Sequence, residues 1–195
     1  VNILMNGRKA DMVFTDLPYG QIQQEWDKEP DWGNLADIYK NVLKNNGQIH
    51  ICCKLPFGFR LNAEFSERFL FWYDVIWCKP NSANFTLIDR FKPAHESVFL
   101  YVNSTSNLTK NVDLIMRDGE PYTINHADGV SPITGAKRMM KKNDSGKRYP
   151  LSWFELANNA GGREEGNHPT QKPVKLVTDF VLYATNEGGG VYDSF

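Results

Sequence analysis

The chain has 195 residues and a mass of 22.3 kDa, with 22 Lys+Arg against 23 Asp+Glu and 41% hydrophobic residues, which suits one α/β-sized domain and argues against two full ones. A net charge of -1 with 23% charged and 13% aromatic residues excludes a disordered chain and a uniformly basic coating protein, so any nucleic-acid surface has to be local. No apolar run approaches the roughly 18 residues of a spanning helix, and the amino end from Val1 to Arg8 lacks a signal-peptide core, which predicts a soluble cytoplasmic protein without a membrane partner. The cysteines, Cys52, Cys53 and Cys78, are too irregularly spaced for a zinc site or a disulfide framework and read as buried reduced thiols, with no metal. Val1 is not an initiator methionine and Phe195 directly follows a strand-like segment, so both ends are expected to be cut.

In chain order, Met12, Val13 and Phe14 form a short apolar run that ends at Asp16-Leu17-Pro18-Tyr19-Gly20, predicting a buried strand that delivers an acid at its carboxyl end. Leu35, Ile38, Tyr39, Val42 and Leu43 share one helical stripe, with Gly47 expected as a left-handed stop and Gln48 to Cys53 as the next strand. A second helical pattern runs through Leu61, Phe65 and Phe69, followed by strands at Trp72 to Cys78 and Ser97 to Val102. This alternation predicts an α/β fold: a mostly parallel sheet with helices on both faces. Late in the chain, Pro173 opens a helix whose apolar face is expected at Val174, Val177, Val181 and Ala184. Gly188 to Gly190 then connect it to a strand at Val191 to Asp193.

Between residues 104 and 166 polar and turn-forming residues dominate, and Lys137, Arg138, Lys141, Lys142, Lys147 and Arg148 oppose only Asp144. Met139, Met140, Tyr149 and Trp153 interleave with these cations. A solvated loop has this composition, and so does a segment that contacts phosphates and stacks on bases. The near-zero net charge is thus a sum of this cluster and an acidic front comprising Asp11, Asp16, Glu25, Asp27, Glu29, Asp31 and Asp37.

Asp16-Leu17-Pro18-Tyr19 carries a specific chemistry if it stands at the carboxyl end of a strand, where open α/β sheets bind ligands. The exocyclic amine of adenine or cytosine is a poor nucleophile because its lone pair is delocalised into the ring. Acceptors for its hydrogens, one a carboxylate and one a backbone carbonyl, favour a more tetrahedral nitrogen aimed at an electrophilic methyl group. An adjacent aromatic ring can stack on a base drawn out of its duplex. An ordinary strand-to-loop turn has the same residue types.

Thr15-Asp16-Leu17-Pro18-Tyr19-Gly20 resembles the catalytic motif of the DNA amino-methyltransferases that modify N6 of adenine or N4 of cytosine, usually Asp-Pro-Pro-Tyr. His168-Pro169-Thr170-Gln171-Lys172-Pro173 resembles the segment that precedes the cofactor-binding strand in the circularly permuted β arrangement of that family. Between them, Leu43-Lys44-Asn45-Asn46-Gly47, Ile76-Trp77-Cys78-Lys79-Pro80-Asn81 and Ala94-His95-Glu96-Ser97-Val98 occur in the family's order. The resemblance implies a Rossmann-like fold divided into a catalytic half (1–103), a target-recognition insertion (104–166) and the start of a cofactor-binding half (167–195). It implies methyl transfer from S-adenosylmethionine to a base in double-stranded DNA, with N6 of adenine favoured. Leu17 departs from the usual proline; its backbone carbonyl remains as an acceptor, Pro18 biases it towards extended geometry, and weaker preorganisation is expected.

By the same resemblance Asp16 and the Leu17 carbonyl orient the amine, Pro18 holds the loop and Tyr19 stacks on the base. Asp16, His168, Thr170, Lys172, Asp193 and Phe195 contact the cofactor, and the basic cluster contacts DNA. For Lys172 a cofactor-side lysine and an exposed helix-end lysine are both open, and His168 by itself is as readily structural as chemical. The glycine-rich turn that follows the family's cofactor strand is not among these residues, which end at Asp193-Ser194-Phe195, so the chain is expected to be cut one loop short. That absence and Leu17 keep a second reading open, a non-catalytic DNA-binding module derived from a methyltransferase. N4-cytosine, RNA or a protein amide is a third class of target. A homodimer, a cognate restriction endonuclease and a prokaryotic or phage source are compatible with the family.

Overall fold

The computed structural model describes residues 7–20, 25, 27–80, 89, 91–124, 130, 133, 135, 141–157 and 171–194, residue 141 by its backbone alone. They divide into two compact units, the first comprising Val1–Asn111 with Leu151–Phe195 and the second Val112–Pro150, which lies inside the 104–166 segment.

The first unit is built on a six-stranded sheet. In chain order its elements are β1 (Ala10–Asp16), α1 (Trp32–Val42), β2 (Leu43–Cys53), α2 (Phe57–Phe65), β3 (Leu70–Cys78) and β4 (His95–Val102). After the second unit, which carries β5 (Tyr122–Ile124) and β6 (Lys141–Asn143), come β7 (Trp153–Glu155), α3 (Val174–Ala184) and β8 (Val191–Tyr192). The sheet order is β7-β3-β4-β2-β1-β8, and only β4 runs antiparallel to its neighbours. The α1 crossover between β1 and β2 accounts for their parallel pairing. Between β3 and β4 no helix is present among the described residues, and consecutive strands without a crossover pair antiparallel.

The apolar run in β1 is explained by burial from both sides, as parallel strands require: Met12 and Val13 are fully buried and Phe14 nearly so. On one face Val13, Ile49, Ile51 and Tyr101 join Leu35, Ala36 and Tyr39 of α1 and Phe57, Leu61 and Phe65 of α2 in one core. On the other, Phe180 of α3 lies 5.8 Å from Phe14 and 5.1 Å from His50, ring centre to ring centre. Asp31 caps α1 by accepting from the Asn34 backbone N–H at 3.0 Å, and the Asn111 side-chain amide donates to the carbonyls of Leu182 and Thr185 at the end of α3.

Two expectations are corrected. Gly47 is not the left-handed stop of α1. The helix ends at Val42, Leu43 is already extended (φ -82, ψ 143), and Gly47 lies inside β2, where an added Cβ would come within 2.7 Å of Leu43 Cδ1 and 2.9 Å of the Asp11 carbonyl oxygen. It is required for close approach rather than for a turn. The inward face of α3 is Leu176, Phe180, Tyr183 and Ala184; of the predicted face only Ala184 is buried, while Val174 is exposed and Val177 and Val181 are half-buried. Larger side chains remove more apolar area from water, and they take the inner face. Gly188 to Gly190 do connect α3 to β8; the Asp11 carboxylate accepts from Gly190 N–H at 2.9 Å and ion-pairs with Lys44 at 2.8 Å, tying β8 to β1.

His50 is fully buried, its Nε2 bonded to Gln48 Oε1 at 3.0 Å, and burial lowers its pKa to about 3. A histidine held neutral by the fold makes the unfolded state the better proton binder below pH 6.5, so stability falls as pH drops from there towards the folded value. With an unfolded value near 6.5, the loss at pH 5 is about 2 kcal/mol. Urea titrations at pH 7 and pH 5 should show this loss in the wild type and a smaller one in His50→Leu.

In the second unit, β5 and β6 pair antiparallel with Tyr122 opposite Asn143 and Ile124 opposite Lys141, and Arg117 bridges Arg148 through two 2.9 Å backbone hydrogen bonds. Gly146 (φ +67) sits where a Cβ would meet the Gly119 carbonyl oxygen at 2.0 Å, so only glycine fits this turn. Among the described residues no helix is long and apolar enough to cross a membrane.

Candidate active site

The strand directions bring chemistry-bearing residues to one edge of the sheet. The carboxyl ends of β1, β2, β3 and β8 lie there, together with the amino end of antiparallel β4. Asp16 is the last residue of β1 and pairs with Cys52; Trp77 near the end of β3 pairs with Glu96 near the start of β4.

Asp16 accepts two hydrogen bonds. Tyr19 Oη donates to Oδ1 at 3.1 Å and Lys172 Nζ to Oδ2 at 2.5 Å. Lys172 also ion-pairs with Glu96 Oε2 at 3.4 Å, and Lys79 bonds Glu96 Oε1. The result is an alternating row of charges, Lys79, Glu96, Lys172 and Asp16. It is largely withdrawn from water: the Lys172 side chain is 9% exposed, Glu96 13% and Asp16 33%. The aromatic rings of Tyr19 and Trp77 flank Lys172, 5.8 and 6.0 Å from Nζ, and Lys79 lies 4.4 Å from the Trp77 ring centre.

Burial pushes the Asp16 carboxyl above its usual value of 3.8 despite the pull of Lys172, and Glu96 adds to the rise. Burial acts on Glu96 in the same sense, but Lys172 and Lys79 outweigh it and hold Glu96 below its ordinary value. For Lys172 desolvation favours the neutral amine; the Asp16 and Glu96 carboxylates prevail and raise its pKa, so it stays an ammonium. Burial drives the Tyr19 phenol and the Cys52 thiol well above their usual ranges, keeping both neutral.

The loop after β1 is fixed from two sides. Asp27, 7% exposed, accepts from the backbone N–H groups of Tyr19 at 2.8 Å and Gly20 at 3.0 Å through Oδ1. Tyr19 packs on Phe57, ring centres 4.7 Å apart, and Phe57 meets Trp32 edge-on at 5.1 Å. Leu17 is 2% exposed and belongs to the core beneath α1 and α2, so burial of a large aliphatic chain anchors the position where the family motif uses a proline ring.

Beyond β8, Ser194 Oγ bonds Tyr39 Oη at 2.6 Å and Thr15 Oγ1 at 3.1 Å, which sets the segment carrying Asp193 beside the end of β1. Asp193 itself is exposed. Lys172 is not the surface lysine that its helix-end position allowed. His168, Thr170 and Phe195 lie outside the described residues, as do Lys137 and Arg138, and for Lys141 only the backbone is described. Of the remaining basic cluster, Lys142 pairs with Asp144 at 2.8 Å, Lys147 pairs with Asp118, and Arg148 lies over the Tyr122 ring at 5.5 Å while donating to the Glu120 carbonyl at 3.2 Å. Both lysine pairs are solvent-exposed and hold their cations weakly.

Sequence reasoning assigned no role to Lys79, Glu96, Trp77, Asp27 or Phe57. A signal existed for two of them, since Lys79 and Glu96 are opposite charges just beyond one strand and just inside the next. Their contact becomes evident only from the register that sets Cys78 against His95. Cys52 and Cys53 are buried and free, Cys78 is free and half-buried, and no metal-binding cluster occurs among the described residues.

Several known proteins share this arrangement of chain. The type II methyltransferase M2.DpnII of Streptococcus pneumoniae is 25% identical over 98% of this chain and 71% of its own length. The DNA adenine methyltransferase YhdJ of Escherichia coli (strain K12) is 23% identical over 95% of this chain, which spans 64% of the relative. The crystal structure of an M1.HpyAVI–SAM complex superposes with a TM-score of 0.60 at 19% identity, covering 100% of this chain and 76% of that one. A second M1.HpyAVI structure gives 0.61 at 18% identity, covering 100% and 74%. These similarities establish a Rossmann-like methyltransferase fold. With residues 10–195 matching the N6/N4 family model described as DNA methylase, an acid at the end of β1 and its tyrosine on the same carboxylate, the chain belongs to that DNA methylase family.

Proposed function

We propose that the protein transfers a methyl group from S-adenosylmethionine to the exocyclic N6 amine of adenine in double-stranded DNA. The observation that carries this reading is Asp16, a carboxylate acceptor at the open sheet edge, fixed by the Tyr19 hydroxyl and by Lys172, whose ammonium lies between the Tyr19 and Trp77 rings. The name of one relative favours adenine, since YhdJ is a DNA adenine methyltransferase. The type II relative M2.DpnII also makes a cognate endonuclease a fitting partner, and a homodimer is proposed with it.

S-adenosylmethionine supplies the methyl group as a sulfonium electrophile. The residues present fit such a cation: the Asp16 and Asp193 carboxylates lie at the same edge, and Ser194 fixes the Asp193 segment through Thr15 and Tyr39. Asp16, Lys172 and Asp193 are the described members of the proposed cofactor contacts, with His168, Thr170 and Phe195 completing them. Asp16 would accept one hydrogen bond from the amine and the Leu17 carbonyl the second, and together they aim the nitrogen lone pair at the methyl group. Tyr19, neutral and braced by Phe57, offers a ring face to the base. Pro18 is buried and stiffens the link between them.

In the 104–166 segment, Lys137, Arg138, Lys141, Lys142, Lys147 and Arg148 are proposed to meet phosphates. Phosphate oxygens replace Asp144 and Asp118 as partners of Lys142 and Lys147. Each phosphate contact contributes roughly 0.9 to the slope of log affinity against log salt. Lys142→Ala with Lys147→Ala should therefore weaken DNA binding across all sequences and reduce that slope by about 2 in salt-titrated binding isotherms.

Tritium transfer from labelled S-adenosylmethionine to DNA, RNA and bulk protein, using the full-length enzyme, tests the reading. Incorporation into DNA alone is expected; incorporation confined to RNA or protein, or none, would overturn it and in the last case favour the non-catalytic module.

A further inference from the structure

The row of charges behind Asp16 is more elaborate than a fixed carboxylate requires. Both Asp16 oxygens are already engaged, Oδ1 by Tyr19 and Oδ2 by Lys172. Each carboxylate oxygen has two acceptor sites, so an amine can donate to Asp16 beside these partners, but at Oδ2 it shares the oxygen with an ammonium, the stronger donor. Close by, Glu96 Oε2 is buried and has the Lys172 ammonium 3.4 Å away, in ion-pair range but without the geometry of a full hydrogen bond, and no other donor reaches it among the described residues. A buried carboxylate oxygen left without a full hydrogen bond is costly and uncommon.

We propose that Lys172 serves two carboxylates in turn, hydrogen-bonded to Asp16 Oδ2 as seen here and shifting onto Glu96 Oε2 when the exocyclic amine donates to Asp16. The inference rests on the methyl-transfer reading of the site and assigns Lys172 and Glu96 as positioning residues within it. Four features support the shift. Nζ is already in ion-pair range of both oxygens, so a small rotation of a flexible side chain carries it across. The receiving carboxylate is held in place, because Lys79 binds its other oxygen and rests over Trp77. Two ammonium groups and two carboxylates remain together in either position, so no buried charge is stranded. The move also completes the hydrogen bond to Glu96 Oε2 at the moment Asp16 gives up a donor, so the two exchanges offset each other.

The consequence is an Asp16 whose charge is neutralised while it waits and unmasked when the amine arrives. The groups facing Lys172 are Asp16 on β1, Tyr19 in the following loop, Cys52 on β2, Trp77 on β3, Lys79 just beyond it and Glu96 on β4. Tyr19 and Cys52 stay neutral, which leaves the two carboxylates as the groups that titrate on the acid side.

Glu96→Gln in the full-length enzyme tests the proposal through kcat, the KM for DNA and the pH profile of kcat. Without the second carboxylate Lys172 stays on Asp16, so kcat should fall about tenfold or more while KM holds within about twofold. The Glu96 charge raises the Asp16 pKa, so the acid limb of kcat should move to lower pH, an effect that simple loosening of the site does not produce. An unchanged kcat would overturn the proposal whatever the acid limb does, as would a raised KM with kcat intact. Absence of transfer by the wild type would instead sink the methyl-transfer reading. Should Glu96→Gln fail to fold, a wild-type crystal structure with DNA and a non-reactive cofactor analogue decides the matter. Lys172 Nζ is expected at about 3 Å from Glu96 Oε2, and finding it still on Asp16 Oδ2 beside a bound base would refute the shift.

Discussion

Asp16→Ala should reduce kcat for methyl transfer by at least about 10²–10³, the cost of removing one preorganised polar partner of a developing charge. The KM for DNA should change little, because phosphate contacts elsewhere dominate affinity. The size of the effect follows from position: Asp16 terminates β1 at the sheet edge, and its carboxylate is the junction of Tyr19 and Lys172. Its loss leaves Lys172 with Glu96 alone and removes the acceptor of the Tyr19 hydroxyl, so acceptor, ring and charge balance fail together. Asp16→Asn should lose nearly as much although its shape is kept, because the amide neither balances Lys172 nor accepts with a full charge. In the wild type the reaction needs ionised Asp16, whose pKa burial lifts above 3.8. Activity is therefore retained above that raised value and lost as pH falls through it, and a kcat profile should place its acid limb above 3.8.

Lys172→Met should be the costliest single change for stability within the site. It leaves Asp16 and Glu96 as two buried like charges with only Lys79 to offset them. Removing one partner from a buried ion pair costs roughly 3–5 kcal/mol, and the lower end, about 3 kcal/mol, applies here because Asp16 keeps contact with water. The sign of the pH dependence distinguishes this from lost packing. Without the ammonium both carboxyl pKa values rise above their unfolded values, so the deficit is full at neutral pH and shrinks as acid protonates them. Urea midpoints for variant and wild type should converge between pH 7 and pH 4. A constant gap would mean that the lysine acts through its aliphatic stem. Methyl transfer by this variant should also be impaired, since Asp16 loses the cation that keeps it ionised.

Much of this site was legible in the residues because strand and chemistry coincide in one short stretch. The apolar run of β1 can end in an acid only at a sheet edge, and Pro18 and Tyr19 follow it directly. The helix stripe through Leu35, Tyr39 and Val42 was equally direct, since these three residues are buried in α1. Gly47 misled because a glycine after a helical stripe resembles a stop signal, while the chain enters β2 at Leu43 with no turn between. The face of α3 misled because valine spacing was weighed without size, and Leu176, Phe180 and Tyr183 bury more area than Val174 and Val177. Glu96 and Lys79 escaped for another reason. Their roles depend on which strands lie side by side, and the placement of β4 between β3 and β2 is a property of the whole sheet. Lys172, 156 residues away from Asp16, was named through the motif it belongs to, but its contact with that carboxylate is a fact of three dimensions.

The central claim, that Asp16 orients an adenine amine for methylation, is tested most directly by identifying the product. DNA incubated with the full-length enzyme and S-adenosylmethionine, then digested to nucleosides and resolved by mass spectrometry, should contain N6-methyladenine in the wild-type reaction. The Asp16→Ala reaction should contain almost none. N4-methylcytosine as the sole product would contradict the base assignment, and undiminished N6-methyladenine from Asp16→Ala would contradict the role given to the carboxylate.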